Sequence, residues 1–271
     1  MKRLFLYAIS ILFAQNLFSQ DEICILHKDG TEECFSLNDI DKIYMKPSEF
    51  KASGEFLNRE YVDLGLPSGL LWATYDVGAK GFKQLGNYYS WGELDTFDTY
   101  DYNKLKYYRV DNPIGGFSKY TTSLYYNAEP DSIITLLPED DVATVDWGNG
   151  WRMATKEEWQ ELIDGCTWEG VISPDVLVQY CSTCTPEPAY SLVGTSKYNG
   201  VKIFFPGGCS KYGSSIELTT KYWTSSLCVE NDFHAVHVSL VQIAGEKPTG
   251  IDFYHESRSM GCAIRPVTHG R

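Results

Sequence analysis

The sequence predicts an α+β fold, and three observations indicate it. Two helix-like segments lie in the middle of the chain, and strand-like segments with Gly- and Pro-rich turns lie on both sides of them. The length of 271 residues suits one large domain, or one domain with a small appendage. Charged residues make up 22% and hydrophobic residues 43%, which is typical of a folded chain rather than a disordered one.

The charge balance excludes two classes of partner. The chain has 23 Lys and Arg against 36 Asp and Glu, and its net charge is -13. Nucleic-acid binding requires basic patches that replace counterions, so the sequence predicts no nucleic-acid partner. An anionic membrane surface would also repel a chain with this net negative charge.

The first 20 residues predict a signal peptide. Lys2 and Arg3 form a positive start, and residues 4–13 form an apolar stretch that is too short to span a bilayer. Cleavage near Ser19 or Gln20 would leave an exported chain in the periplasm, on the cell surface or in the medium. No membrane insertion is expected after removal of the signal.

The eight cysteines fit an oxidising compartment, where disulfides are the first expectation. Residues 29–30 are Asp-Gly, a strong hairpin signal that places Cys24 opposite Cys34 and predicts a disulfide between them. This hairpin unit is assigned to residues 21–48, followed by a linker at 49–59 and the main domain at 60–271. Cys181 and Cys184 form a C-x-x-C, interpreted as a loop disulfide or as the ends of two separate bridges.

Two helices have clear start signals. A short one is predicted after Pro138, which suits a first turn, with acidic residues near its positive end. In the second, Thr155 and Glu158 form a capping box, Trp159 lies on the apolar face, and Gly165 ends the helix.

Other segments are assigned with weaker local signals. Residues 173–181 are interpreted as a further short helix, and residues 84–130 as loop-rich. Strands are predicted at 200–208, 221–227, 233–241, 249–257 and 261–267.

Candidate chemistry is sparse. The sequence contains no G-x-S-x-G elbow, phosphate loop or dinucleotide fingerprint. His234 and His237 are expected on opposite faces of one strand, and His255 is solitary in the sequence, so no metal site is predicted. Residues 139–141 are three consecutive acids. The favoured interpretation is that their negative charge complements the positive end of a helix, and binding of a structural calcium ion is the alternative left open.

Several strings carry a resemblance to a known family. They are EYVDLGLPSGLLWA (60–73), GNYYSWGE (86–93), the segment 136–168, NGVKIFFPGG (199–208), YWTSSL (222–227) and RSMGCAIRPV (258–267). Together they resemble the Fibrobacter succinogenes major paralogous domain over residues 60–267. More distantly, WRMATKEEW (151–159) is similar to a motif of formylglycine-generating-enzyme-like domains.

The resemblance implies a C-type-lectin-like domain with a small twisted antiparallel sheet, two helices and long loops. It implies that Trp151 and Trp159 are core residues, that Arg152 is a buried structural ion-pair partner and that Arg265 is an anchor near the C-terminus. Two departures matter: the enzyme's copper-binding cysteine segment is missing, and so is the calcium-dependent sugar-binding signature of lectins.

The functional expectation is an exported, non-catalytic binding module that recognises a glycan or a surface protein through aromatic-rich loops. No catalytic residue, no metal ligand and no cofactor is predicted. The candidate ligand-binding residues are aromatic: Tyr88, Tyr89, Trp91, Tyr107, Tyr108 and Trp223. Two alternatives remain open, a structural component of a surface assembly and an oxidoreductase similar to the formylglycine-generating enzyme.

Overall fold

The computed structural model describes residues 22–26, 30–36, 50–110, 115–124, 129–178, 187–217, 219–241 and 248–270. It divides the chain into two compact units, Met1–Glu49 and Phe50–Arg271. The predicted signal peptide and the Cys181–Cys184 motif lie outside the described residues.

The smaller unit contains one antiparallel hairpin. Strand β1 spans Glu22–Leu26 and strand β2 spans Glu32–Ser36. Their register places Cys24 opposite Cys34, and a disulfide joins these two residues. A two-stranded hairpin is only marginally stable in water by itself, so this crosslink should stabilise the pairing of β1 with β2.

The described residues of the larger unit form thirteen further strands and two α-helices. Strands β3 to β15 span, in order, Gly54–Phe56, Arg59–Val62, Leu71–Ala73, Trp151–Met153, Cys166–Val178, Glu187–Ser196, Lys202–Phe205, Ser210–Tyr212, Ser215–Glu217, Lys221–Leu227, His234–Val241, Gly250–Ser257 and Pro266–Thr268. Helix α1 spans Val142–Trp147 and helix α2 spans Lys156–Gly165. Two one-turn 3-10 helices lie at Tyr102–Lys104 and Pro138–Asp140.

These strands form three antiparallel sheets with three or more strands. One has five strands in the order β3-β4-β5-β15-β6, and the others have the orders β7-β8-β9 and β12-β13-β14. The C-terminal strand β15 lies between β5 and β6, so Val267 is paired with Trp72 on one side and Arg152 on the other. Segments from both ends of the larger unit therefore meet in one sheet.

The predicted fold class is wrong. The larger unit is mostly β-sheet, and among its described residues α2 is the only α-helix longer than six residues, so the structure is not an α+β C-type-lectin-like domain with two helices. The third predicted helix, at 173–181, belongs to strand β7 as far as Val178. The β7–β8 register shifts between Ser173 and Leu177, and Pro174 lies in this irregularity, where the missing N–H is tolerated.

Most of the predicted C-terminal strands are confirmed. Strands β9, β12, β13 and β14 each fall within a predicted segment. The prediction at 261–267 is correct only from Pro266 onward, where β15 begins.

Within the segment predicted as a linker, residues 54–59 belong to the β3–β4 hairpin of the five-stranded sheet. Leu57 and Asn58 connect the strands with φ values of 48° and 59°. Two left-handed residues are characteristic of a tight hairpin turn, but leucine seldom occupies such a position, so this turn lacks the usual sequence signal. The ring of Phe50 packs 5.2 Å from that of Phe204.

Helix α2 begins with a complete capping box. The Thr155 side chain accepts a hydrogen bond from the Glu158 N–H, and the Glu158 carboxylate accepts one from the Thr155 N–H. Arg152 also donates to Glu158, at 2.7 Å from one of its terminal nitrogens. On the opposite face Trp159 and Leu162 are fully buried. The start of the helix is therefore tied both to itself and to strand β6.

Replacing Thr155 by alanine should lower the free energy of unfolding by about 1 kcal/mol, because a first-turn N–H loses its partner. Urea denaturation of both proteins measures this difference. Thr155→Ser keeps the hydroxyl and should remain within a few tenths of a kcal/mol of the wild type. A serine variant as unstable as the alanine variant would contradict the capping role.

The core of the larger unit is aromatic. Trp72, Trp91, Trp151, Trp159 and Trp223 are all almost completely buried. They fall into two clusters, one around Trp159 and Trp72 with ring centroids 4.8 Å apart, the other containing Trp151, Trp91 and Trp223. These five tryptophans therefore build the fold, and their rings are withdrawn from solvent.

A buried ion pair lies within this core. The Arg265 Nε donates to Asp76 Oδ1 at 2.6 Å, and both side chains are almost completely inaccessible. Another Arg265 nitrogen donates to the carbonyl of Phe204 at 3.0 Å. The Arg265 guanidinium also lies over the ring of Phe205, with 4.6 Å to its centroid. Arg265 thus connects the end of the chain to segments far from it in sequence.

Candidate ligand-binding cleft on the C-terminal sheet

The sheet of β12, β13 and β14 carries a cleft of about 310 Å³. This volume falls at the lower end of the range typical of small-ligand sites. The lining side chains are mostly polar: Thr219, Lys221, His237, Ser239, Leu240, Val241, Tyr254, His255 and Glu256.

The alternation of side chains along β13 produces this cleft. Val238 and Leu240 point into the core next to α2, so the alternate residues His237 and Ser239 point to the other face. In the register His237 lies between Trp223 on β12 and Tyr254 on β14. One row of rings therefore crosses the sheet.

This row connects the core to the surface. The Trp223 and His237 rings meet edge to face with centroids 5.8 Å apart, and the His237 and Tyr254 rings are stacked at 5.9 Å with 23° between their planes. His237 is only 2% exposed, whereas Tyr254 is 50% exposed. The inner rings restrict the orientation of Tyr254, which offers solvent a flat apolar surface with a hydroxyl at its end.

Polar groups of several kinds surround the row. Lys221 Nζ lies 3.8 Å from Glu256 Oε2 and 3.4 Å from the Met260 sulfur. Ser239 Oγ lies 3.4 Å from His237 Nδ1. An ammonium, a carboxylate, a hydroxyl and an imidazole thus line one small cleft.

The geometry suits binding better than covalent catalysis. An activated serine and its base are normally 2.6–3.2 Å apart, and the Ser239–His237 separation of 3.4 Å is longer. Donors and acceptors beside an aromatic ring are instead the usual composition of a recognition site.

Three of the six aromatic residues predicted to bind ligand are buried, and that part of the prediction is wrong. Tyr89, Trp91 and Trp223 are at most 6% exposed. The indole of Trp91 donates to the Thr224 carbonyl at 2.9 Å, and that of Trp223 donates to the Tyr89 carbonyl at 2.8 Å. Internal backbone groups use their polar atoms, so no face remains for a ligand.

The other three are half-buried and hold the loops together. The Tyr88 hydroxyl lies 3.2 Å from the Cys209 sulfur, and the Tyr107 hydroxyl donates to Asp140 at 2.9 Å. Tyr108 stacks on Tyr102 with centroids 5.3 Å apart. The described part of the segment 84–130 is therefore a second, loop-built portion of the core rather than a set of free recognition loops.

The acidic run 139–141 does not converge on one point. Asp140 is buried and binds the ammonium groups of Lys106 at 2.8 Å and Lys119 at 2.6 Å. Asp141 caps helix α1 through the N–H of Ala143 at 2.9 Å. Lysines thus neutralise Asp140, and these acids do not form the oxygen cage that calcium requires.

Among the described residues, Cys166, Cys209 and Cys228 are buried free thiols, although the composition predicted disulfides. Burial raises the pKa of Cys166 to about 11 and raises the pKa of Cys209 and Cys228 above the usual thiol value. A raised pKa keeps a thiol protonated, which disfavours its use as a nucleophile or metal ligand. These thiols give no support to the oxidoreductase alternative.

Sequence reasoning missed a pair of histidines. His255 is not solitary, because its ring stacks on that of His234 with centroids 5.6 Å apart. The cross-strand register brings them together, and register cannot be read from one strand alone.

Among the described residues, one group of three or more potential metal ligands clusters within 4.8 Å, namely Cys24, Glu32 and Cys34, and its two sulfurs are bonded to each other.

Comparisons of the chain with protein-family models, with curated proteins and with solved structures found no match. The resemblance to the Fibrobacter succinogenes major paralogous domain therefore stays a prediction. Within the part of the chain that the structure describes, no helix has the length and apolar character needed to cross a membrane.

Proposed function

We propose that this chain is an exported binding module that recognises a glycan in the cleft of the β12–β13–β14 sheet. One observation carries the proposal: Tyr254 is half-exposed, and the buried ring of His237 stacks against it and restricts its orientation. The position of the recognition surface differs from the sequence-based hypothesis, since the loop aromatics support the scaffold and a strand presents the contact ring.

The chemistry of a sugar ring matches this cleft. A pyranose has an apolar face of C–H groups, which suits an aromatic platform, and a rim of hydroxyls, each able to donate and accept hydrogen bonds. Lys221 supplies donors, Glu256 supplies acceptors, and Ser239 supplies both, all beside the platform. Because Lys221 and Glu256 have opposite charges 3.8 Å apart, the cleft suits neutral sugars.

Preorganisation favours binding at this site. His237, Ser239 and Lys221 are at most 9% exposed and belong to paired strands. Side chains that are already ordered lose little entropy when a ligand arrives, so a small cleft still gives useful affinity. The signal peptide predicted at 1–20 would deliver such a module to extracellular glycans.

This proposal is tested with an array of neutral and acidic oligosaccharides. Calorimetry then measures the affinity of the strongest binder. Tyr254→Ala should weaken binding roughly 30-fold, the loss expected when a central aromatic anchor worth about 2 kcal/mol is truncated.

The matched control is Tyr212→Ala. Tyr212 has a similar exposure of 54% but lies on β10, which belongs to another sheet. Its removal should leave the affinity unchanged. An array without any binder, or equal losses in the two variants, would contradict glycan recognition at Tyr254. If the chain binds a protein and no glycan, a surface protein is favoured as its ligand.

A further inference from the structure

We propose that His234 and His255 form a two-nitrogen site for a tetrahedral transition-metal ion, with Zn²⁺ as the best match. The observation is that their Nδ1 atoms converge to 3.4 Å. This inference does not depend on the proposed glycan binding.

The backbone fixes the two rings on one face of the sheet. His234 is paired with Ser257, and His255 is paired with Val236, so the histidines are diagonal neighbours two residues apart in register. Diagonal neighbours are within reach of ring-sized side chains. Their centroids lie 5.6 Å apart with 29° between the ring planes.

The spacing of the nitrogens discriminates between interpretations. Two nitrogens bound at about 2.0–2.1 Å to a tetrahedral zinc ion are roughly 3.4 Å apart, whereas a 90° angle would place them at roughly 3.0 Å. A direct hydrogen bond between the rings would normally be about 2.7–3.2 Å long. The observed 3.4 Å therefore matches the nitrogen spacing around a shared tetrahedral ion.

Negative charge near both imidazoles favours a bound cation. The carboxylate of Glu256 interacts electrostatically with His234. Glu230 interacts electrostatically with His255, and its carboxylate is exposed. Among the described residues no carboxylate oxygen lies within 4.8 Å of both nitrogens, so water would complete the coordination of a bound ion. The ammonium of Lys156, which interacts with Glu230, opposes cation binding.

A rigid turn holds His234 in place before any ion arrives. The Cys228 N–H donates to the His234 carbonyl at 3.2 Å, and the His234 N–H donates to the Asn231 carbonyl at 2.9 Å. His255 lies in the interior of β14. Little backbone ordering is therefore required for chelation.

The site is tested by calorimetric titration of the full chain with ZnCl₂ and with CoCl₂. The protein is prepared without a histidine tag. One equivalent of metal should bind, and His234→Ala and His255→Ala should each weaken binding at least tenfold. His269→Ala is the control, because it removes an exposed histidine from another strand region and should leave the affinity unchanged.

The Cys228 thiol is the alternative ligand, since its sulfur lies 3.4 Å from Glu230 Oε2. A thiolate would add an intense near-ultraviolet charge-transfer band to the Co²⁺ spectrum, and two imidazoles would not. Absence of this band, with unchanged affinity in Cys228→Ser, supports the histidine site. A thiolate band, affinity that survives in His255→Ala, or no binding of either ion to the wild type would each overturn it. Because the oligosaccharide titration is run without metal, failure of one proposal is distinguishable from failure of the other.

Discussion

Replacing Asp76 by alanine should lower the free energy of unfolding by about 3–5 kcal/mol, because it leaves the Arg265 guanidinium buried without its counter-charge. The two side chains are in contact at 2.6 Å and almost completely excluded from solvent. Tyr222 also loses a hydrogen bond to Asp76. Chemical denaturation at neutral pH measures the loss.

A double variant separates the cost of an unpaired charge from the cost of lost packing. Asp76→Ala combined with Arg265→Met removes both charges and should be more stable than Asp76→Ala alone. Asp98→Ala, at an exposed acid, should change stability by no more than about 0.5 kcal/mol. If the double variant is less stable than the single one, the ion pair is not the main source of the loss.

The second large expected effect is the loss of stability when Asp140 is replaced, and the size of this loss depends on pH. Burial acts to raise the pKa of this carboxyl, but hydrogen bonds from Lys106, Lys119, Tyr120 and Tyr107 outweigh it and lower the pKa to about 2. A carboxyl whose pKa is depressed in the folded state stabilises that state above its unfolded pKa, and this stability is lost as the pH falls through the folded pKa.

Asp140→Asn should therefore cost about 2–3 kcal/mol at pH 7. The difference from the wild type should shrink below pH 4 and become small near pH 2, where about half of the wild-type carboxyls are already protonated in the folded state. Glu139→Gln is the control, since that neighbouring carboxylate is exposed, and it should have little effect at either pH. A pH-independent difference between Asp140→Asn and the wild type would contradict the role of the charge.

The predictable parts of the fold are those with local signals. The capping box of Thr155 and Glu158 identified α2, and runs of strand-like residues identified β12, β13 and β14. In each case the hydrogen bonds or the buried face belong to residues close in sequence, so the pattern is complete within one segment.

What could not be predicted depends on distant partners. The Pro174 irregularity in β7 resembled a helix start because its partner strand β8 is not visible in a local window. The tyrosine-rich loops appeared available for ligands, yet Tyr107 and Tyr120 have a buried carboxylate to bind. The row through His237 and the His234–His255 pair both require the register of β13 with β14, which the sequence does not specify.

These differences explain why the binding hypothesis moves from loops to a strand. A tyrosine contributes to recognition only when its ring is accessible, and among the described cleft residues Tyr254 combines accessibility with a stacked partner that orients it. Composition gives the number of aromatic residues, whereas the packing decides which of them remain available.

Amide chemical-shift mapping with the strongest-binding oligosaccharide tests the central claim most directly. The cleft proposal predicts that the largest shifts fall on β12, β13 and β14, around Lys221, His237 and Tyr254, and that Tyr254→Ala strongly reduces them at the same oligosaccharide concentration. Shifts concentrated instead between residues 84 and 110, with the C-terminal sheet unaffected, would contradict it.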